Sequence, residues 1–273
     1  MTAKIITSPS NPLIKDIKAL EMRKRRKETG LFMAEGLRTL IEGIELGADL
    51  RYFVYLDDMK DRPDIVRVRD YCAAQSGESL EVSQNILEKL SHKDNPQSVI
   101  GVFRQKFLPL EQVFPQASKC WVVLEQIRDP GNLGTIIRTV DSVGADGVIL
   151  VDNCCDPYSV EAVRATMGSI FHVPIVVTSL TDFTNWAGNW TGSIVGTTLQ
   201  SSVDFREVVY TSPLLLVMGN EQAGLSEEMR RVCHQNVRLP MNGRADSLNL
   251  SIATGVMLYA MLEPWDGLKV SLP

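Results

Sequence analysis

The stretch Leu214-Leu215-Leu216-Val217-Met218-Gly219-Asn220-Glu221 decides the fold, because five apolar residues lead directly into a glycine and two polar residues. A strand that is apolar on both faces belongs in a parallel sheet covered by helices on both sides. Similar runs, separated by helix-length segments, are Trp121–Leu124, Val148–Val151, Ile175–Val177 and Ile194–Val195. The second half of the chain is therefore predicted to be α/β, with its functional side chains in loops after the strands' carboxyl ends.

The first half is predicted to form a smaller α/β domain. Asn11 and Pro12 are a helix-start signal, and segments typical of alternating strands and helices follow as far as Val99–Phe103. Pro109 and Pro115 interrupt a stretch without periodicity, as expected of a linker. The predicted organisation is a domain at 1–105, a linker at 106–118 and a second domain at 119–273.

Charge and cysteine content narrow the functional class. Residues 1–106 hold 18 Lys+Arg against 16 Asp+Glu, and residues 107–273 hold 10 against 17. This balance argues against a protein that coats nucleic acid, although the basic run Arg23–Lys27 could contact RNA phosphates. Five cysteines and three scattered histidines predict neither a disulfide framework nor a metal site. Without a signal-peptide pattern or a membrane-length apolar run, we expect a soluble, cytoplasmic protein.

Three segments carry candidate chemistry. In the first, residues 129–139, Pro-Gly-Asn makes a turn, and Arg138 is expected in the second helical turn with its guanidinium leaning toward the loop. The alternative is an arginine on a solvated helix face. The second segment follows the strand at 214–218 and places Glu221 at the sheet edge. Here the alternative is a simple turn, with Ser226 capping a short helix.

The third segment, residues 239–251, precedes a helix predicted from Ser247 to Leu262, with Ser247 as its N-cap. Asn249 and Ser251 are polar groups at the start of this apolar helix, where burial would require hydrogen-bond partners such as a bound ligand. The helix is apolar almost all round and is too short to span a membrane. We therefore expect it to be buried, either within one subunit or against a second.

In this order the three segments resemble the motifs of the SpoU (TrmH-like) family of RNA ribose 2′-O-methyltransferases of the SPOUT class, over residues 119–262. Ile5–Pro12 and Phe32–Gly36 resemble the ribosomal-protein-like substrate-binding domain of some members. The resemblance implies a C-terminal α/β knot, S-adenosyl-L-methionine as cofactor, an RNA substrate and a homodimer. It implies a catalytic set of Asn132, Arg138, Glu221, Ser247 and Asn249, and a cofactor site of Thr197, Gly219, Leu239, Met241 and Leu248. The candidate RNA contacts are Arg23, Arg25, Arg26 and Lys27.

Several alternatives remain open at this level. Members of the family are described with the arginine as base, but an arginine pKa above about 12 favours a role for Arg138 in gripping phosphate. The two-domain layout favours ribosomal RNA over transfer RNA, and a non-catalytic RNA-binding relative is a further alternative. A nicotinamide enzyme is disfavoured, because Gly131-Asn132-Leu133-Gly134 lacks the G-x-G-x-x-G spacing. Gln222 stands where many members have glycine, which leaves the shape of that loop open.

Overall fold

The computed structural model describes residues 3–91, 99–200 and 202–262. The strands are β1 (Lys4–Ile6), β2 (Leu31–Glu35), β3 (Leu50–Leu56), β4 (Glu78–Val82), β5 (Val99–Arg104), β6 (Cys120–Glu125), β7 (Gly147–Val151), β8 (Ile175–Thr178), β9 (Ser193–Thr197), β10 (Val203–Asp204), β11 (Leu214–Met218) and β12 (Gln235–Arg238). The helices are α1 (Pro12–Ala19), α2 (Arg23–Thr29), α3 (Leu37–Glu45), α4 (Pro63–Ala74), α5 (Gln84–Leu90), α6 (Pro130–Val143), α7 (Val160–Thr166), α8 (Leu180–Ala187), α9 (Glu227–Val232) and α10 (Leu250–Leu262).

The chain divides into two compact units, the first made of residues 1–106 and 156–172 and the second of residues 107–155 and 173–273. The first unit contains a mixed sheet in the order β1-β4-β3-β5-β2. As predicted, Asn11 caps α1, its side chain accepting a hydrogen bond from the Leu13 amide at 2.9 Å. Helix α1 ends at Ala19, so the basic run forms a separate helix, α2.

Residues 156–172 belong to the first unit although they follow β7 in the chain. Aromatic contacts tie this segment to the mixed sheet: the rings of Phe32 and Tyr158 lie 4.6 Å apart, and those of Phe103 and Phe171 lie 4.7 Å apart. Contacts between apolar rings such as these stabilise the packing of the segment against the mixed sheet. Nothing in the periodicity of the sequence indicates this return to the first unit.

Arg26 is a structural residue of the first unit, which corrects its predicted role as an RNA contact. Its side chain is only 4% exposed and forms an ion pair with Asp156 at 2.7 Å. One terminal nitrogen also donates to the carbonyl oxygens of Leu20 and Glu21, both at 2.8 Å. A buried guanidinium must have such partners to offset its desolvation, and these partners leave it unavailable to a phosphate.

The second unit is built on a seven-stranded sheet in the order β10-β12-β9-β11-β6-β7-β8, in which every neighbouring pair is parallel. This confirms the predicted α/β fold with a parallel sheet. β11 and β6 lie at its centre, and every residue of both strands is buried. Residues 107–118 join the same unit, because Leu110 and Val113 are buried in its core.

Helix α10 buries one side within this chain and exposes the other, so burial of the whole helix within one subunit, the first of the two predicted alternatives, is not found. Met257 and Leu258 are fully buried, whereas Ile252, Val256 and Tyr259 are 56%, 42% and 41% exposed. The apolar composition of all its faces therefore leaves a hydrophobic surface on the single chain. Within the described ranges, no helix combines the length and hydrophobicity needed to cross a membrane.

Candidate active site

A cavity of about 1090 Å³ opens in the second unit where four neighbouring strands end. Parallel strands place their carboxyl ends at one edge of a sheet, so the loops after β6, β9, β11 and β12 meet there. Nine of the ten predicted catalytic and cofactor residues line this cavity: Asn132, Thr197, Gly219, Glu221, Leu239, Met241, Ser247, Leu248 and Asn249. Three motif segments that are distant in sequence thus surround one space.

The Glu221 carboxylate connects the first two motif segments. It accepts hydrogen bonds from the backbone amides of Arg128 at 3.2 Å and Asp129 at 3.3 Å, and from the side-chain amide of Asn132 at 3.4 Å. Since both of its oxygens accept bonds from the loop after β6, Glu221 fixes the position of that loop. This arrangement makes Glu221 a positioning residue for Asn132.

Asn249 adds the third segment to the same chain of hydrogen bonds. Its side-chain nitrogen donates to Asn132 Oδ1 at 2.9 Å. Its oxygen accepts from the backbone amide of Ser251 at 2.9 Å and from that of Ile252 at 3.3 Å, at the start of α10. Asn249 rather than Ser247 therefore caps this helix, which corrects the predicted cap by two residues. Ser247 is exposed and lines the cavity.

The loop from Gly219 to Gly224 is closed by its own backbone and by Asn220. The backbone groups of Asn220 and Gly224 exchange hydrogen bonds of 3.0 and 2.9 Å, and Asn220 Oδ1 accepts from the amides of Gln222 and Ala223, both at 3.0 Å. A Cβ on Gly219 would lie 2.3 Å from the carbonyl carbon of Gly224. Glycine is therefore required at position 219 by the return of the loop.

The cavity wall beside β9 and β12 is suited to a polar organic ligand. The Thr197 hydroxyl oxygen is buried and has no hydrogen-bond partner among the described residues, so a ligand group would satisfy it. Leu239 is buried beside it, while Met241 and Leu248 remain partly open to the cavity. Apolar walls with a few unsatisfied polar atoms are typical of cofactor sites.

Two family models match the sequence. One, described as the SpoU rRNA Methylase family, matches residues 119–259, and the other, described as an MRM3-like substrate binding domain, matches residues 11–101. The chain belongs to the SpoU rRNA methylase family. The match confirms the predicted family, and the first model covers all three motif segments around the cavity.

Full-length relatives agree with this assignment. The structure of an AdoMet-bound rRNA methyltransferase from Sinorhizobium meliloti is 46% identical and has a TM-score of 0.89, covering 94% of this chain and 96% of that one. A 23S rRNA (guanosine(2553)-2′-O)-methyltransferase of Bacillus subtilis is 27% identical over 94% of this chain and 98% of its own. A 23S rRNA (uridine(2479)-2′-O)-methyltransferase of Streptomyces viridochromogenes is 31% identical over 87% of this chain and 84% of its own.

The structure does not bring Arg138 together with the other predicted catalytic residues of this SpoU family member. Arg138 is exposed on α6 and is absent from the cavity lining. Asp129 caps α6, so the helix begins at Pro130 and Arg138 is its ninth residue. At a rise of about 1.5 Å per residue, its Cα lies about 12 Å along the helix from Pro130. Arg138 is thus in the third helical turn, not in the second as predicted.

Three residues that build this site, Gln126, Arg128 and Asn220, are absent from the predicted catalytic and cofactor sets, although the sequence places Asn220 at the sheet edge. Gln126 adopts a left-handed conformation with φ of 52°, and its carbonyl oxygen accepts a hydrogen bond from Asn220 Nδ2 at 2.8 Å. Arg128 also lines the cavity, directly before the Asp129 cap. The Gly219-Asn220 pair was a visible turn signal, whereas no sequence signal marks Gln126 or Arg128.

Cys155 lies near the site but does not supply a nucleophile. Burial, together with the nearby Cys154, Glu221 and Asp129, raises the pKa of its thiol to about 12. A thiol of this pKa stays protonated at neutral pH, and only the thiolate is an effective nucleophile. Among the described residues no cluster of His, Cys, Asp and Glu side chains could hold a metal ion.

The positioning role of Glu221 predicts a local effect of its removal. In Glu221→Ala the amides of Arg128 and Asp129 lose their acceptor, and hydrogen bonds to a charged group contribute about 1.5–3 kcal/mol. We expect hydrogen exchange at these two amides to accelerate about 10- to 100-fold, measured by exchange mass spectrometry or NMR. Glu227→Ala, which changes an exposed carboxylate on α9, is the matched control. Unchanged exchange at both amides would contradict the assignment.

Proposed function

We propose that this protein transfers a methyl group from S-adenosyl-L-methionine to a ribose 2′-hydroxyl of ribosomal RNA. The observation that carries the proposal is the hydrogen-bonded chain of Glu221, Asn132 and Asn249 on the wall of the cavity. Support for the product and for the RNA class comes from family membership and from the two relatives named as 23S rRNA 2′-O-methyltransferases. Transfer RNA is the alternative substrate that the same site could accept.

The cofactor supplies a methyl group on a positively charged sulfur when it is bound. In this proposal Thr197, Gly219, Leu239, Met241 and Leu248 hold it, with the unpartnered Thr197 hydroxyl as one polar contact. The AdoMet-bound structure of the Sinorhizobium meliloti relative supports the choice of cofactor. The knotted threading of the chain around this pocket is likewise proposed from family membership.

The amides of Asn132 and Asn249, together with the Ser247 hydroxyl, orient the ribose. Placing the hydroxyl in line with the methyl carbon provides much of the rate enhancement, because it removes the entropic cost of alignment. The 2′ oxygen would displace the sulfur from the methyl carbon, so that the carbon–sulfur bond breaks as the carbon–oxygen bond forms and the sulfur keeps the electron pair. The hydroxyl proton would leave toward water at the open side of the cavity, where Ser247 is exposed. Retention of this polar set favours an active enzyme over a non-catalytic RNA-binding relative.

The product can be identified by alkaline hydrolysis of RNA methylated with radiolabelled cofactor. A 2′-O-methyl group blocks cleavage at its own nucleotide, so the label should be recovered in an uncleaved dinucleotide. The substrate is ribosomal RNA from cells that lack this protein, with transfer RNA from the same cells as the comparison. Label in a mononucleotide that carries a methylated base would contradict the assignment, and label only in transfer RNA would change the substrate class.

We further propose a homodimer in which α10 docks against a second copy. Thr135 and Thr139 of α6 border a groove of about 640 Å³ together with the exposed Ile252, Val256 and Tyr259 of α10. Exposed apolar surface of this kind is typical of a protein interface. Arg138 neighbours Thr139 on α6 and is outside the cavity of its own chain, so a partner that docks here could receive this guanidinium in its own site.

Mixing two inactive variants tests the dimer and the role of Arg138 together. Arg138→Ala should lower methyl transfer about 100-fold or more while cofactor binding persists, and Asn249→Ala should also be inactive. If Arg138 acts across the interface, co-refolded variants should regain about a quarter of the wild-type activity, since half of the dimers are mixed and each has one intact site. If the mixed dimers recover no methyl transfer, Arg138 either acts in the site of its own chain or has no catalytic role.

Val256→Asp is the companion variant for the interface itself. It should shift sedimentation toward the 30.3 kDa monomer, because a charge on a buried apolar interface costs several kcal/mol. Val209→Asp is the matched control, since Val209 is 83% exposed and lies outside the groove. A wild-type protein that sediments as a monomer at micromolar concentration would contradict the dimer.

For the first unit we propose that α2 contacts RNA phosphates through Arg23, Arg25 and Lys27, in the cytoplasm where the RNA is found. Arg23 and Lys27 are exposed, while Arg25 already contacts Asp16 at 3.1 Å. Replacing Arg23 and Lys27 with Ala should flatten the salt dependence of RNA binding by roughly one unit of slope for each cation removed from a phosphate. Arg26→Ala should instead lower the melting temperature, since it leaves the largely buried carboxylate of Asp156, which is 14% exposed, without its charge partner. An unchanged salt slope would place the RNA elsewhere.

A further inference from the structure

Arg128 brings a guanidinium to the cavity that the sequence motifs do not assign. Arg128 and Arg238 are the two arginines in the lining, and the Arg238 guanidinium donates to the carbonyl oxygen of Ser202. The Arg128 side chain is exposed, and no carboxylate lies within ion-pairing distance of it in the described part of the chain. Arg128 is therefore a cation at this site that remains available to a ligand.

The backbone that carries Arg128 is fixed at three points. Gln126 O accepts from Asn220 Nδ2 at 2.8 Å, the Arg128 amide donates to Glu221 at 3.2 Å, and the Asp129 amide donates to Glu221 at 3.3 Å. Glu221 also contacts Asn132, so the backbone at Arg128 has a fixed position relative to the residues that are proposed to orient the ribose. A binding group held in this way loses less freedom when its ligand arrives.

Two neighbouring carboxylates are already engaged with main-chain groups. Asp129 Oδ1 accepts from the Asn132 amide at 2.6 Å as the cap of α6, and Glu221 accepts from the two loop amides. Each therefore has hydrogen-bond partners other than the Arg128 guanidinium. RNA carries one phosphate beside every ribose, and the planar fork of arginine binds phosphate oxygens in pairs.

We propose that Arg128 binds the RNA phosphate next to the target ribose, within the cavity of its own chain. The inference rests on the proposed function, since it names how the substrate of that same site is held. Arg128 is then a positioning residue for the 2′-hydroxyl, and it does not take part in proton transfer. Its contribution is distinct from that of Arg138, which lies outside the cavity lining.

Kinetics on ribosomal RNA from cells lacking this protein can test the proposal with three variants. Arg128→Ala should raise the KM for RNA about 10- to 100-fold, the range for removal of a charge-assisted hydrogen bond, while the Kd for S-adenosyl-L-methionine stays unchanged. Arg128→Lys should recover part of this effect, because it restores the charge without the fork. Arg231→Ala is the matched control, because Arg231 is 77% exposed on α9 and is absent from the lining.

The possible outcomes separate this inference from the proposed function. An unchanged KM for RNA in Arg128→Ala would overturn the inference alone. A weakened Kd for S-adenosyl-L-methionine in that variant would assign the guanidinium to the cofactor's carboxylate and would also overturn it. A wild-type protein that transfers no methyl group to RNA would overturn the proposed function, and the inference with it. Among the described residues, the hydrogen bond at position 128 is made by the backbone amide, so Arg128→Ala should keep the fold. An unchanged Kd for the cofactor would confirm that the variant is folded.

Discussion

The site depends on the parallel pairing of β9, β11 and β6 at the centre of the second unit. This pairing brings the carboxyl ends of the three strands into register, with Met218 opposite both Thr197 and Leu124. The loops that follow the strands therefore begin side by side. Three motif segments spread over more than a hundred residues can then contact one another. Any loss of register at β11 would move Gly219 and Glu221 away from the loop after β6, because their positions are set by the strand that precedes them.

Within this frame several polar side chains hold the fold and form the site at once. Asn249 caps α10 with its oxygen and reaches Asn132 with its nitrogen. Asp129 caps α6 with the oxygen that accepts from the Asn132 amide. Because the same side chains cap the N-termini of helices and line the cavity, substitutions here alter local stability and activity together. Hydrogen exchange and cofactor affinity must therefore be measured alongside reaction rates to separate the effect on stability from the effect on catalysis.

The sequence predicted the elements that depend on local pattern. The apolar run at 214–218 is β11, and the loop after it carries the expected Glu221. Features set by tertiary packing could not be predicted in this way. The burial of Arg26 depends on Asp156, which is 130 residues away in the chain, and the exposed face of α10 cannot be distinguished from its buried face when both are apolar. Periodicity reports which residues are apolar, but it does not report which neighbour covers them.

Arg138 shows how one helix boundary changes a mechanism. If α6 began later, Arg138 would lie within reach of the loop, as expected from the sequence. The Asp129 cap starts the helix at Pro130, two residues after Arg128, and Arg138 then lies next to Thr139, which borders the apolar groove. Arg128, which precedes the cap, stays at the cavity for the same reason. The helix start thus separates the two arginines of this segment, so that one faces the chain's own cavity and the other lies next to the surface where a second copy would dock.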